Sequence, residues 1–463
     1  MMKLFILPLL TFFSLQSAPF DPQHLIKEII NYSTDYKSCA SQLDAWDGSE
    51  ESIHTFFTAL HTEIEPYRYV STAHQKALIL EAIAPLGPEI QSDVSLLIDT
   101  VITFLKDLKI QYHDIQHTLE VVLGTTRAAV QGYEDGILPN PQSAFLPIVA
   151  ALFHDIGYSN AAETKQWMLS LPRDVYASLF CKIQGESFLQ EFEKTKELAA
   201  HNPNAIGAEL HLYHVHFSQV LLPYILEQLP DTFIHKSKLL DPNSLEIICA
   251  IISLTDVKSI SIAYRKERRD FLKEKGLSFA GECLATSDLF TQLATVDRLH
   301  KALGLYQEFV IGKDTLPWKS GMALLATMPS FYENFAKNCF NADVLSALDR
   351  YFAKRKEANP YRVGISYNFF LHEIFAKIYP KLGSFSTITD HDVYLLQGLE
   401  MHGLQKEAVS LFLATKYLQE NAPLPTRISY NLETILEIKG SFLEITLGEE
   451  ARFFKQLSTI DKQ

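Results

Sequence analysis

Two histidines four residues apart, His113 and His117, open the stretch in which groups able to do chemistry are concentrated, in Tyr112-His113-Asp114-Ile115-Gln116-His117. That spacing predicts both rings on one face of a helix, where they can serve one site. A second group closes the apolar run of residues 148–153, which ends in His154-Asp155 before Gly157. Burying an adjacent His and Asp there is costly unless a metal or a polar partner compensates both. A third is Asp288, a single acid in the largely apolar residues 283–290. Asp256, which follows the apolar residues 247–254, competes with it for the same role. Taken singly, each has an ordinary structural reading: a satisfied helix histidine, an N-cap or a paired buried acid. Taken in order, a His, a His-Asp pair and a distant Asp bring N and O ligands from three helices, enough to surround a hard or borderline divalent cation without any thiolate.

The elements that must position these groups read as helices. Apolar residues recur at three and four spacing, as in Leu97, Ile98, Val101, Ile102, Leu105 and Leu108, with no sustained two-residue alternation. An all-α fold is expected, as a helical bundle with N- and C-terminal helical extensions. Asp47-Gly48-Ser49, Glu65-Pro66 and Pro85-Leu86-Gly87-Pro88 are stop and turn signals. They punctuate an N-terminal helical region, 19–95. Residues 96–320 hold the His and Asp chemistry and are interrupted by a loop over 134–143, marked by Gly136, Pro139 and Pro141. Residues 321–463 form a C-terminal helical region broken by Pro360, Pro380, Pro423 and Pro425, with a short strand expected at 441–447. There is no repeat at a fixed period and no low-complexity tract.

The chain has 463 residues, 47% of them hydrophobic and 21% charged, ample for a buried core. A formal net charge of -14 argues against a nucleic-acid partner, since phosphate backbones are held by clustered Lys and Arg. The one basic run, Arg265-Lys266-Glu267-Arg268-Arg269, reads as a solvated helix face. The five cysteines, Cys39, Cys181, Cys249, Cys283 and Cys339, are scattered and form no Cys-x-x-Cys, so neither a disulfide framework nor a thiolate zinc site is expected, and most read as buried free thiols. Met1-Met2-Lys3, the apolar residues 4–13 and Ser14-Leu15-Gln16-Ser17-Ala18 have the layout of a secretory signal without the small residue expected before a cut. Residues 1–18 therefore read either as a signal peptide or anchor or as a first buried helix, which leaves a cytoplasmic and an exported location both open. No transmembrane span is predicted elsewhere.

These motifs together resemble the HD-domain metal-dependent phosphohydrolases, within them the branch that includes the cyclic-nucleotide phosphodiesterases. That branch's Tyr-His-Asn-x-x-His is similar to Tyr112-His113-Asp114-Ile115-Gln116-His117, and its Ala-x-x-His-Asp to Ala151-Leu152-Phe153-His154-Asp155. Its Ala-Thr-Asp resembles Leu254-Thr255-Asp256, and its Ala-Asp-Leu resembles Ser287-Asp288-Leu289. The resemblance covers residues 96–320 and implies that His117, His154, Asp155 and Asp288 bind a first metal, with Asp155 bridging to a second when one is present. It implies that His113 is the general acid and that Asp256 lies on a site wall. The cofactor would be one or two divalent ions, Mn, Fe, Zn or Mg.

Two departures stand out. Tyr158 and Ser159 occupy the neighbourhood where the branch has a further histidine supporting the second metal. His201, His211, His214 and His216 are the possible replacements, each with a surface or capping reading beside it. His214 comes first among them, because His214-Val215-His216-Phe217-Ser218 resembles a segment that supplies extra histidines in some HD proteins. The branch's glutamine after Glu-Phe-Phe has no counterpart after Glu308-Phe309-Val310-Ile311-Gly312, so purine specificity is not implied. The expected activity is hydrolysis of a phosphodiester in a small, nucleotide-like phosphorylated substrate by attack of a metal-bound hydroxide. A phosphomonoester or nucleoside-triphosphate hydrolase on the same site, and a non-catalytic metal-binding regulatory module, are the alternatives.

Overall fold

The computed structural model describes residues 71–105, 112–158, 214–256, 262–295 and 339–357, with separate positions between 301 and 331 and between 359 and 368. Among the described residues every regular element is a helix and none is a strand, as the three-and-four periodicity predicts. The leader-like residues 1–18, the strand expected at 441–447, Cys39, Cys181, His201 and His211 lie outside the described residues.

Helix α1 (Thr72–Ile83) starts at Ser71, whose side chain accepts from the His74 N–H. It runs through a 3-10 turn, Ala84–Leu86, into Gly87, whose φ of +105° is open to glycine without strain. Pro88 then starts α2 (Pro88–Leu105), where a proline costs no intrahelical hydrogen bond. Its buried face is Ile90, Val94, Leu97, Ile98, Val101 and Leu105. α3 (Ile115–Glu134) is capped by Asp114, and α4 (Pro141–Phe153) by Asn140, whose Oδ1 accepts from the Ser143 N–H at 2.9 Å. The loop expected over 134–143 is present but spans only residues 135–140, because Asn140 caps α4 and Pro141 already starts it. α4 is buried on all sides from Ser143 to Phe153, which marks it as a core helix rather than an amphipathic one.

A 3-10 turn, Ile156–Tyr158, follows α4. The next described helices are α5 (His214–Gln228), the short α6 (Lys236–Leu239), α7 (Pro242–Ser253) and α8 (Ile262–Glu274). They are followed by α9 (Ser278–Ala294) and α10 (Ala342–Arg355). α3 is the hub: α1, α4, α9 and α10 pack on it, while α7 and α9 pack on α4 and α5 packs on the turn at 156–158. Truncating a fully buried leucine such as Leu152 to alanine is expected to cost about 2–5 kcal/mol.

Close approach of α9 to α3 depends on Gly124. A Cβ there would lie 2.7 Å from Thr291 Cγ2 and 3.4 Å from Ser287, the neighbour of Asp288. The basic run lies on α8 with Lys266, Glu267 and Arg269 exposed, and Arg269 pairs with Glu282 at 2.7 Å. Cys249, Cys283 and Cys339 are free thiols, of which Cys283 alone is fully buried. No described helix is long and apolar enough to cross a membrane.

Candidate metal centre

The centre forms where the start of α3, the end of α4 and the middle of α9 converge. Asp114 adopts an extended conformation and accepts the His117 N–H at 2.8 Å, so α3 begins at Ile115 and His117 sits in its first turn. His113 therefore precedes the helix rather than sharing its face, contrary to the expectation from the four-residue spacing. The capping acid between the two histidines breaks the helix before it reaches His113. The rings still meet, edge to face, with centroids 5.4 Å apart.

His154 is the C-cap of α4, and its Nδ1 lies 2.8 Å from the Ala151 carbonyl. Donation of Nδ1–H to that carbonyl turns the Nε2 lone pair toward the centre, the arrangement that orients a metal-binding imidazole. From Nε2 of His154, Asp155 Oδ2 is 3.0 Å away and Asp288 Oδ1 3.7 Å. From Nε2 of His117 the same two oxygens lie at 3.2 and 3.5 Å. Gln292 Nε2 donates to Asp288 Oδ1 at 3.0 Å, holding that side chain within α9.

Despite this crowding, the buried His117 Nδ1 and Nε2, His154 Nε2 and Asp155 Oδ2 have no hydrogen-bond partner among the described residues. Leaving such atoms unpaired costs about 1–3 kcal/mol each, so a converging set of them marks a site built for something else. Ligand atoms of His117, His154 and Asp288 lie within 4.8 Å of one another, and so do those of His113, His117 and Asp155. The donors are imidazole and carboxylate, the set that suits a divalent ion with no thiolate. The buried residues therefore fit a metal.

Charge tells the same story. Burial, the largest influence on His117, pushes its pKa down, but the carboxylates of Asp155 and Asp288 outweigh it and raise it to about 9. Burial acts the same way on His154, and Asp155 and Asp288 again raise it well above the ordinary value. Burial would raise Asp155, yet the adjacent His154 and His117 hold it well below the usual carboxylate range, and Asp288 is lowered by the same two partners. Two imidazoles thus supply the positive charge that the two carboxylates demand and that a cation would otherwise provide.

A second layer surrounds this set. Glu308, 2% exposed, places Oε2 2.7 Å from His113 Nδ1, while its Oε1 accepts the backbone N–H groups of Tyr112 at 2.7 Å and His113 at 3.2 Å. Tyr158 is sandwiched between His113 and His214, with ring centroids 4.6 and 4.4 Å away. Burial and the surrounding carboxylates, Asp155 first, push its phenol well above the ordinary pKa. His214 Nε2 comes within 3.6 Å of Asp155 Oδ1. Ser218 Oγ stitches α5 to this region, accepting the Gly157 N–H at 2.9 Å and donating to the His154 carbonyl at 2.7 Å. Only glycine fits at 157, because a Cβ there would lie 2.0 Å from the His214 carbonyl oxygen.

His113, His117, His154, Asp155 and Asp288 are thus brought together, and of the four candidate replacements His214 is seen to join them. Only the backbone of His216 is described. Asp256 is buried and among the charges acting on Tyr158, but it belongs to neither group of converging ligand atoms. Sequence reasoning missed the part played by Glu308. It stood out only as a landmark in a motif comparison, and no spacing links it to a histidine 195 residues away.

Comparison with protein-family models, with curated proteins and with solved structures finds no match. The buried His and Asp clusters able to hold a metal rest on this chain's own geometry.

Proposed function

We propose that this chain is a metal-dependent phosphohydrolase of the HD type that its motifs resemble. The observation that carries the reading is the set of buried, unpartnered atoms His117 Nε2, His154 Nε2 and Asp155 Oδ2 converging beside Asp288. His117, His154, Asp155 and Asp288 would hold a divalent ion, and the His113, His117 and Asp155 grouping, with His214 beside Asp155, offers room to test for a second. The ion, when bound, would activate water and neutralise charge on phosphoryl oxygens.

The chain's own residues supply the rest. Glu308 holds the Nδ1 side of His113 and so orients the ring that would carry a proton to the leaving oxygen, and the pair stays together because Glu308 is itself anchored by two backbone N–H groups. Tyr158 packs flat on His113 and limits the ring's rotation. The favoured substrate is a phosphodiester of a small nucleotide-like molecule. A monoester or triphosphate is the alternative on the same site, since selectivity is decided by pocket walls rather than by ligands.

Metal analysis of the purified full chain, paired with hydrolysis of a chromogenic phosphodiester and monoester under Mn, Fe, Zn or Mg, tests this. The expected result is bound metal and turnover of one ester, with the preferred ester naming the subclass. His113→Ala should keep the metal and lose turnover. Metal with no turnover in the wild type would replace the reading by a regulatory metal-binding module, and absence of metal would overturn it.

A further inference from the structure

A cleft of about 500 Å³ opens at the end of α4 remote from His154 and Asp155. α4 has 13 residues, so the two places are separated by roughly 20 Å of helix at 1.5 Å per residue. The cleft is lined by the first turn of α4 with Asn140, Pro141 and Gln142, by Glu89 at the start of α2, and by His235 and Lys238 at α6. Its volume is that of a small-molecule site.

Three groups in it are set up for a ligand. His235 is 4% exposed, and Asp93 behind it takes the ring Nδ1 at 2.8 Å together with the backbone N–H groups of Ile234 at 3.0 Å and His235 at 2.8 Å. The Phe145 ring packs against the imidazole at a centroid distance of 5.5 Å, which further fixes its orientation. With Nδ1 committed to Asp93, Nε2 is the nitrogen left to a ligand, and it has no partner among the described residues. Gln142 Nε2 is a buried donor with no partner among the described residues. Lys238 is exposed and makes no ion pair among the described residues. Lys238 and Gln142 can donate to an oxyanion, His235 Nε2 can donate when its ring is protonated or accept from a protonated phosphate oxygen when it is neutral, and the start of α4 adds the positive end of a helix dipole. Glu89 is the acid in the same lining.

We propose that this cleft binds a small molecule through a carboxylate or phosphate group, held by Lys238 Nζ, His235 Nε2 and Gln142 Nε2. The site is independent of the metal centre and of the hydrolase reading. Removing a hydrogen bond to a charged group is expected to weaken binding at least about tenfold.

Calorimetric titration of the full chain with inorganic phosphate and, separately, with succinate tests the proposal on wild type, Lys238→Gln, Gln142→Leu and Asp155→Ala, with thermal melting to establish that each variant is folded. At least one anion should bind with a Kd on the order of millimolar or tighter. Lys238→Gln and Gln142→Leu should each weaken it at least about tenfold, while Asp155→Ala leaves the cleft's binding event unchanged and removes only any phosphate event at the metal centre. The anion that binds names the ligand chemistry. Absence of binding by both anions, binding indifferent to Lys238→Gln and Gln142→Leu, or binding abolished by Asp155→Ala would overturn the site.

Discussion

Asp93 and Asp155 are both buried acids beside histidines, one near each end of α4. Asp93 accepts three hydrogen bonds, from the backbone N–H groups of Ile234 and His235 and from the His235 ring. Asp155 Oδ2 accepts none, although His117 and His154 stand 3.2 and 3.0 Å away. The first arrangement is electrostatically complete and reads as architecture that aims a ring. The second is held together by attraction between groups that face each other without being aligned as hydrogen bonds, an arrangement able to hold a cation. His113 and Glu308 follow the first pattern inside the second site, giving it one self-sufficient pair among unsatisfied ligands. Buried His-carboxylate pairs therefore cannot be sorted by residue type; the sorting comes from counting what each polar atom has been given.

The largest effect should come from breaking the unsatisfied side. Asp155→Ala is expected to lose bound metal and to reduce hydrolysis to that of protein-free controls, and a variant that retained full metal content would erase the contrast with Asp93. On the satisfied side, Asp93→Ala should cost about 3–5 kcal/mol, because it strands buried donors. Denaturant titration measures this, and the folded fraction should keep its metal.

The pH dependence of the metal-free chain sharpens the contrast further. His117 is raised from 6.5 to about 9, so its protonated form favours the folded state. That stabilisation is complete below pH 6.5 and is lost as pH rises through about 9, roughly 3 kcal/mol for this group. His154 shifts in the same direction. Metal ligation requires the neutral rings, so added metal should stabilise more as pH rises across the same window. Thermal melting with chelator and with metal across the window reads both trends. A chelated protein with a flat melting temperature would refute the charge-sharing account.

The smallest effect is expected at the self-sufficient pair within the site. Glu308→Gln should retain metal and lower turnover by roughly tenfold to a hundredfold, a loss of the size seen when a group that orients an imidazole is removed. The acid limb of the pH-rate profile should move with it, which a merely structural glutamate would not cause.

Much of the centre was legible in the chain itself. His154, Asp155 and Asp288 were conspicuous because they end or interrupt apolar helical stretches, and burying such groups demands a reason, while His117 stood out by its spacing from His113. His113 was legible by type, but its placement was not, since Asp114 could be recognised as a cap only once the helix start was seen. Tyr158 read as a missing ligand and proves to be a wedge between two histidines. His214 could be ranked first on the resemblance of its segment but not assigned, because no spacing ties it to Asp155. The cleft at His235 gave no signal, for Asp93 and His235 lie 142 residues apart in separate helical segments.

By itself the sequence determined the helical character of the chain and the residue types able to hold a metal, because the periodicity of a helix and the cost of burying polar groups act over a few residues. Which of those groups meet was decided by tertiary structure alone: by Gly124 admitting α9 against α3, by Gly157 admitting α5 against the turn, and by Glu308 reaching back to His113. Those contacts join segments far apart along the chain, where spacing carries no information and only the packing of one core brings their atoms within reach.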